Sequence, residues 1–210
     1  MAKKMYLATT LLTLLLGTAP KPNNTPKRVA YEKTLETRLE GQKGGQEILI
    51  YKSRKKLYLY EGNRIIDSAK VSFGWGEYFG DSQKREQGDK KTPEGEYFVT
   101  EKHKSENFSY FIGVNYPNLE DAKRGLEEKL ITQKQYESIA KANKNKTIPL
   151  QNTRLGGAIG IHGLGRDYYT LISGINWTRG CIALSDEDIK RIYGSIRVGS
   201  RIKIFAKSIR

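Results

Sequence analysis

The chain has one cysteine, Cys181, in the run Trp177-Thr178-Arg179-Gly180-Cys181-Ile182-Ala183-Leu184. One of its two histidines, His162, precedes it in Gly160-Ile161-His162-Gly163. A lone thiol cannot form an internal disulfide, and a thiol with an imidazole nearby is the minimal nucleophile–base pair. An unperturbed thiol, with a pKa near about 8.5, is only a few per cent thiolate at neutral pH. Bringing it to about 6.5 takes about 2.7 kcal/mol of differential stabilisation. One imidazole contact together with oriented backbone amides can supply that. Gly180 lets the backbone turn sharply before the nucleophile, and the amides of Arg179, Gly180 and Cys181 are candidates to face an acyl oxyanion. Gly163 leaves room for a backbone carbonyl to orient the second ring nitrogen of His162. No acidic residue stands out as a third member, although Asp167 and Asp186 are near in sequence. Alternatives remain at this level: a lone Cys is commonly a small buried hydrophobe, and a lone His a structural hydrogen-bonding group. His103 reads as a surface residue. One Cys and two His are too few for a zinc-like ligand set, so no metal or cofactor is expected.

Short apolar runs bounded by turn residues must carry these groups. Ile48–Tyr51, Leu57–Tyr60 and Ile65–Phe73 read as strands, with Gly62-Asn63 as a hairpin turn. Gly95–Glu101 follows as another, and Ala158–Ile161 delivers His162. Arg201–Phe205 is the last. Gly74–Asp89 reads as a long functional loop. Asn118 caps a helix over Leu119–Leu130, weakened by Gly125. Thr132 and Gln135 form a capping box for Gln133–Asn143, and Ser185 and Asp188 open a helix to Tyr193. Thirteen tyrosines add to the β leaning.

The length of 210 residues fits one domain, and 37% apolar residues suffice for a core. The formal charge of +14 attracts anions in general, including anionic wall polymers. The lysines are scattered, with no basic helix, RNP signature or finger spacing, so nucleic acid is not an expected partner. Residues 1–19 read as a signal peptide or N-terminal anchor: Lys3 and Lys4, the apolar stretch Met5–Leu16, then Gly17-Thr18-Ala19. Pro20 fits a cleavage site poorly, which keeps the anchor reading open. Residues 20–46 read as a Pro-rich linker and a short helix. The expected location is therefore outside the cytoplasm, in periplasm or wall.

Taken together, the motifs resemble the L,D-transpeptidase catalytic-domain (YkuD-type) family. They are His162-Gly163, then Thr178-Arg179-Gly180-Cys181-Ile182, the segment Gly88–Tyr97, and the opening hairpin Lys56–Tyr60. The resemblance covers residues 47–206. It implies a mainly β (α+β) fold, an antiparallel β-sandwich or barrel-like domain with a few inserted helices. Residues 107–153 are then a helical insertion, its helices a candidate lid, with Phe108, Tyr110, Phe111 and Tyr116 lining either a cleft or the core. It also implies a reaction on peptidoglycan stem peptides, in which the thiolate displaces D-Ala to form a thioester that an amine of another stem resolves. Relatives use a lipoprotein lysine, a free D-amino acid or water instead, which keeps an L,D-carboxypeptidase or amidase as the alternative. A non-catalytic wall-binding module is the third reading. By motif, Cys181 is the nucleophile, His162 the base and Gly163 the source of the orienting carbonyl. Thr178, Arg179 and Gly180 fall at the oxyanion and substrate side. Many members carry Arg where this chain has Ala183, which bears on donor and acceptor specificity.

Overall fold

The computed structural model describes residues 45–80, 83–165 and 174–206. The expected export signal, linker and first helix lie outside them, as does Asp167. The described residues build one curled eight-stranded sheet in the order β3-β2-β1-β8-β4-β5-β6-β7. The strands are β1 (Gln46–Tyr51), β2 (Lys56–Glu61), β3 (Arg64–Lys70), β4 (Gly95–Ser105), β5 (Ser109–Val114), β6 (Gly160–His162), β7 (Ile182–Ala183) and β8 (Arg201–Phe205). Three helices accompany them: α1 (Leu119–Glu127), α2 (Gln133–Lys144) and α3 (Asp186–Ser195). Mainly β with a few helices is the expected class. The sheet is nevertheless mixed, because β1 runs parallel to β8 and β6 parallel to β7.

The first hairpin forms as the Gly62-Asn63 signal predicts, with Glu61 paired to Arg64 across it. Gly62 has φ +56, a left-handed conformation that glycine adopts without strain. Beyond β3 the chain continues along the sheet edge. Ser72 and Ala183 exchange both backbone hydrogen bonds, at 2.8 and 2.9 Å, and Gly74 bridges Thr178. These bridges join the two ends of the strand order and give the sheet its half-barrel curl. β8 does not close the sheet at an edge: it lies in the middle, between β1 and β4. The alternation of Ile202 and Ile204 with polar neighbours hides that position, because it looks the same for a central and an edge strand.

The segment read as a helical insertion begins with a strand. β5 pairs with β4 on one side and β6 on the other, so Ser109–Val114 belongs to the sheet, and the helical part is α1 and α2. The caps work as their sequences indicate. Asn118 accepts from the Asp121 amide while Asp121 reaches back to Asn118, and Thr132 and Gln135 do the same for α2. Gly125 is accommodated because α1 packs tightly there: a Cβ would lie 2.8 Å from a methyl of Leu155. Ala122, Ile131, Ile139 and Leu155 form a satellite core under the two helices.

The main core fills one face of the sheet. Val71, Phe73, Ile112, Val114, Ile161 and Ile182 point into it, and α3 adds Ile189 and Ile192. Tyr116 is in this core, with Tyr110 packed against it, so neither lines a cleft. Because strand side chains alternate, Cys181, Ala183, Gly160, His162 and Phe111 lie on the opposite face.

The satellite core should carry real stability. Ile139→Ala removes its fully buried centre, and we expect a loss of about 2–4 kcal/mol. By thermal unfolding the midpoint should fall by roughly 5–15 °C.

Candidate active site

Register brings His162 and Cys181 together. In the parallel pair of β6 and β7, Ile161 faces Ile182 and His162 faces Ala183. Cys181 immediately precedes β7, so it and His162 are diagonal neighbours on one face. His162 is 3% exposed, walled by the Phe108 ring at 4.2 Å and by the Trp177 ring, edge-on at 6.0 Å. Its Nδ1 lies 2.7 Å from the Gly163 carbonyl oxygen. A carbonyl only accepts, so Nδ1 carries the hydrogen, and in the neutral ring Nε2 is the basic nitrogen.

The turn that presents Gly163 is itself held. Asp186, at the start of α3, accepts from the Leu164 amide at 3.0 Å and the Gly165 amide at 3.4 Å. The Gly163 amide donates to the carbonyls of Phe108 and Tyr110. A Cβ on Gly163 would lie 2.2 Å from Asp186 Oδ1. The acid that sequence proximity flagged thus acts on the backbone beyond the histidine.

Thr178 organises the cysteine loop. Its hydroxyl donates to the Cys181 carbonyl at 2.6 Å and accepts from the Gly180 amide at 3.2 Å. Of the three amides expected to face an oxyanion, the Gly180 N–H donates to Thr178 in this structure. Gly180 is needed for its conformation, with φ +129 and a Cβ position 2.8 Å from the Lys91 carbonyl oxygen. Arg179 is exposed on the same turn. Ala183 is fully buried between His162 and Ser72 on one rung. Ser72 Oγ and Trp177 Nε1 are buried nearby without hydrogen-bond partners among the described residues.

The Cys181 sulfur rests 3.4 Å from the Ala158 carbonyl oxygen, to which the thiol donates. Burial pushes this thiol above its ordinary value, opposed by the Gly160 amide and by the positive charge of Lys84. The residue keeps partial exposure, so solvent tempers that rise. The direction is that of a neutral thiol at rest, whose proton must leave as the sulfur attacks. Sequence reasoning did not find Lys84, which sits in a polar loop with nothing to distinguish it from other lysines. It is 3% exposed. Its Nζ donates to Asp89 Oδ1 at 2.7 Å and to the Glu86 carbonyl at 2.9 Å, and lies 5.6 Å from the Tyr116 ring centroid. The Tyr116 hydroxyl in turn donates to the Leu155 carbonyl at 3.0 Å, on the segment leading to Ala158.

A second buried cation was equally invisible. Lys52 Nζ lies 2.8 Å from carboxylate oxygens of both Glu77 and Glu94, and donates to the Thr92 carbonyl at 2.9 Å. Thr92 accepts from the Gly74 amide at 3.0 Å and donates its own amide to Glu77 at 2.8 Å. The network fastens two stretches, Gly74–Tyr78 and Lys91–Glu94, that lie against Gly180. Among the described residues no group of acidic, His and Cys side chains is placed to hold a metal.

Comparison with known proteins follows this geometry. The family model described as "L,D-transpeptidase catalytic domain" (YkuD) matches residues 45–204. The chain belongs to that family. No curated protein matches it in sequence. Among solved structures, it is similar to the helical cell shape determining protein Pgp2 of Campylobacter jejuni, with 19% identity and a TM-score of 0.53, covering 84% of this chain and 56% of that one. Bd1075 of Bdellovibrio bacteriovorus gives 24% identity and a TM-score of 0.49, covering 78% and 49%. An L,D-transpeptidase of Mycobacterium smegmatis gives 11% and 0.47, covering 78% and 59%. The chain thus spans about half to three fifths of each of these relatives.

Three variants test the site as built. Gly180→Ala should leave the fold intact but displace the cysteine turn, slowing alkylation of Cys181 by iodoacetamide at least about tenfold; an unchanged rate contradicts the steric argument. In Lys84→Met the midpoint of the alkylation rate against pH should move upward, because a cation that favours the thiolate is gone. Lys84→Arg should restore it.

Proposed function

We propose that this chain is a cysteine-dependent acyltransferase acting on peptidoglycan stem peptides, an L,D-transpeptidase in reaction as in family. The observation that carries the reading is the tautomer-fixed His162, Nδ1 on the Gly163 carbonyl, placed diagonally across from Cys181.

In the first half-reaction His162 Nε2 takes the thiol proton as Cys181 Sγ attacks the stem carbonyl. The oxyanion is assigned to the backbone N–H groups of Arg179 and Cys181, on either side of the committed Gly180 amide. The C–N bond then breaks, and the imidazolium gives its proton to the leaving D-Ala amine, leaving a thioester. In the second half an acceptor amine gives a proton to His162 and attacks the thioester carbon. The C–S bond breaks, and the proton returns to the sulfur.

Water as acceptor is the second reading, making the chain an L,D-carboxypeptidase. Ala183 favours it: the position where many members carry Arg is here a fully buried alanine. The likeness to a cell-shape-determining protein supports either reaction as wall remodelling. The basic, apolar start of the sequence supports export to periplasm or wall.

Sacculi digested with wild-type protein and analysed as muropeptides should show D-Ala release that Cys181→Ala and His162→Ala each lower by at least about a thousandfold. New cross-linked dimers identify the transpeptidase, and shortened stems without dimers the carboxypeptidase. A carbapenem should add its mass to Cys181. Full turnover by Cys181→Ala would sink both readings, and sacculus binding by a wild-type protein with no turnover would leave a wall-binding module.

A further inference from the structure

The loop that follows Gly74 carries three large aromatic side chains on the surface. Trp75, Tyr78 and Phe79 are 42%, 56% and 62% exposed. Single exposed apolar residues are ordinary, but three in one turn are not. Trp75–Tyr78 is one short 3-10 helix. Positions three apart in such a helix lie one above the other, so Trp75 and Tyr78 share a side. The Phe79 ring meets Trp75 edge-on, with centroids 5.7 Å apart and planes at 87°. Ile175, 48% exposed, lies beside them, because the amide of the next residue, Asn176, donates to the Tyr78 hydroxyl at 2.7 Å.

The backbone beneath the rings is pinned. The Trp75 amide donates to the Thr178 carbonyl at 3.0 Å and the Gly76 amide to the Lys90 carbonyl at 2.9 Å. Glu77 is turned inward onto Lys52 at 2.8 Å. A turn held on its polar side and bare on its aromatic side presents rings that are ordered before a ligand arrives. Aromatic faces are electron-rich and attract the C–H groups on the face of a sugar ring. Residues 74–82 contain Glu77 and Asp81 but no Lys or Arg, so the turn itself lacks the basic residues that draw a surface to anionic lipid. Position favours a sugar as well. A Cβ on Gly74 would lie 3.2 Å from the Gly180 Cα. Consecutive Cα atoms are about 3.8 Å apart, which places Trp75 Cα within about 12 Å of Cys181 Cα. A stem that has lost D-Ala to Cys181 keeps three residues on its acyl side, and these span about 10 Å when extended. The sugar at their far end then falls within reach of the aromatic turn.

We propose that Trp75, Tyr78 and Phe79 form a platform for an N-acetylated sugar of the glycan strand from which the donor stem hangs. The sugar ring stacks on the aromatic turn, and Ile175 takes the acetyl methyl. This rests on the reading of Cys181 as the residue acylated by a stem peptide. It makes the chain select stems attached to glycan over free peptides.

Binding tests it without turnover. In the Cys181→Ala background, calorimetry should compare a disaccharide tetrapeptide with the free tetrapeptide of the same sequence. The disaccharide form should bind about tenfold tighter. Adding Trp75→Ala or Phe79→Ala should erase that difference, with unchanged circular dichroism. Phe79 is the more exposed of the two, so its variant keeps the test if Trp75→Ala fails to fold. Equal affinities before substitution, no measurable binding of the disaccharide form, or a ratio that the variants leave unchanged overturns the platform. So does another use of the face: binding to phosphatidylglycerol vesicles, or a dimer in sedimentation, that Phe79→Ala abolishes while the two ligands bind equally. Sacculi left untouched by the wild type, with the glycan preference present and lost in Phe79→Ala, would instead overturn the catalytic reading and leave the platform standing.

Discussion

The structure turns on the two hydrogen bonds between Ser72 and Ala183, at 2.8 and 2.9 Å. β7 is only two residues long, and a strand that short does not hold its place by pairing on one side. Its partner β6 supplies one ladder, and the extension of β3 supplies the other. Each bond contributes only about 0.5–1.5 kcal/mol, yet the pair fixes which way Cys181 faces. A one-residue slip of β7 would turn Cys181 towards the core and Ile182 towards the cleft. Ile182, fully buried among Val71, Phe73 and Ile161, opposes that slip. The nucleophile's direction is therefore set jointly by this pairing and by hydrophobic burial on the other face of the sheet.

The turn before β7 needs support from outside the sheet. Gly74 and Gly180 approach so closely that a Cβ on the first would lie 3.2 Å from the Cα of the second. The stretches around Gly74 and Lys91 stay in place through Lys52, whose ammonium sits between Glu77 and Glu94. Burying these charges is costly, and burial holds the Glu77 carboxyl above its ordinary value even with Lys52 beside it. What the network supplies is geometry: three directed contacts from one ammonium to two stretches of chain, a task an apolar plug of equal volume cannot perform.

The legible part of the molecule was the part governed by local rules. The hairpin at Gly62-Asn63 and the caps at Asn118, Thr132 and Ser185 depend on a few neighbouring residues, and each appears where its signature lies. His162-Gly163 and Thr178–Cys181 were legible as motifs, because few residue types allow a sharp turn beside a nucleophile. Sheet order was not legible: nothing in Arg201–Phe205 says that it lies beside β1, and nothing in Ser109–Val114 says that the sheet continues there and not in an insertion. Those placements come from long-range pairing. Lys52 and Lys84 were hidden for the same reason, since a lysine becomes a buried cation only through carboxylates that the fold brings to it.

The resting thiol raises a question that the same surroundings answer. Burial disfavours the thiolate, which at first sight opposes nucleophilic chemistry. A permanently ionised thiolate would, however, be exposed to oxidation whenever substrate is absent. The site couples a neutral thiol to a histidine whose basic nitrogen is fixed by the Gly163 carbonyl, so ionisation can accompany attack. The Gly160 amide and Lys84 limit how far burial raises the cost of that step. Placing both on rigid parts of the fold, one in β6 and one in a loop pinned by Asp89, makes their stabilisation available without reorganisation when charge develops.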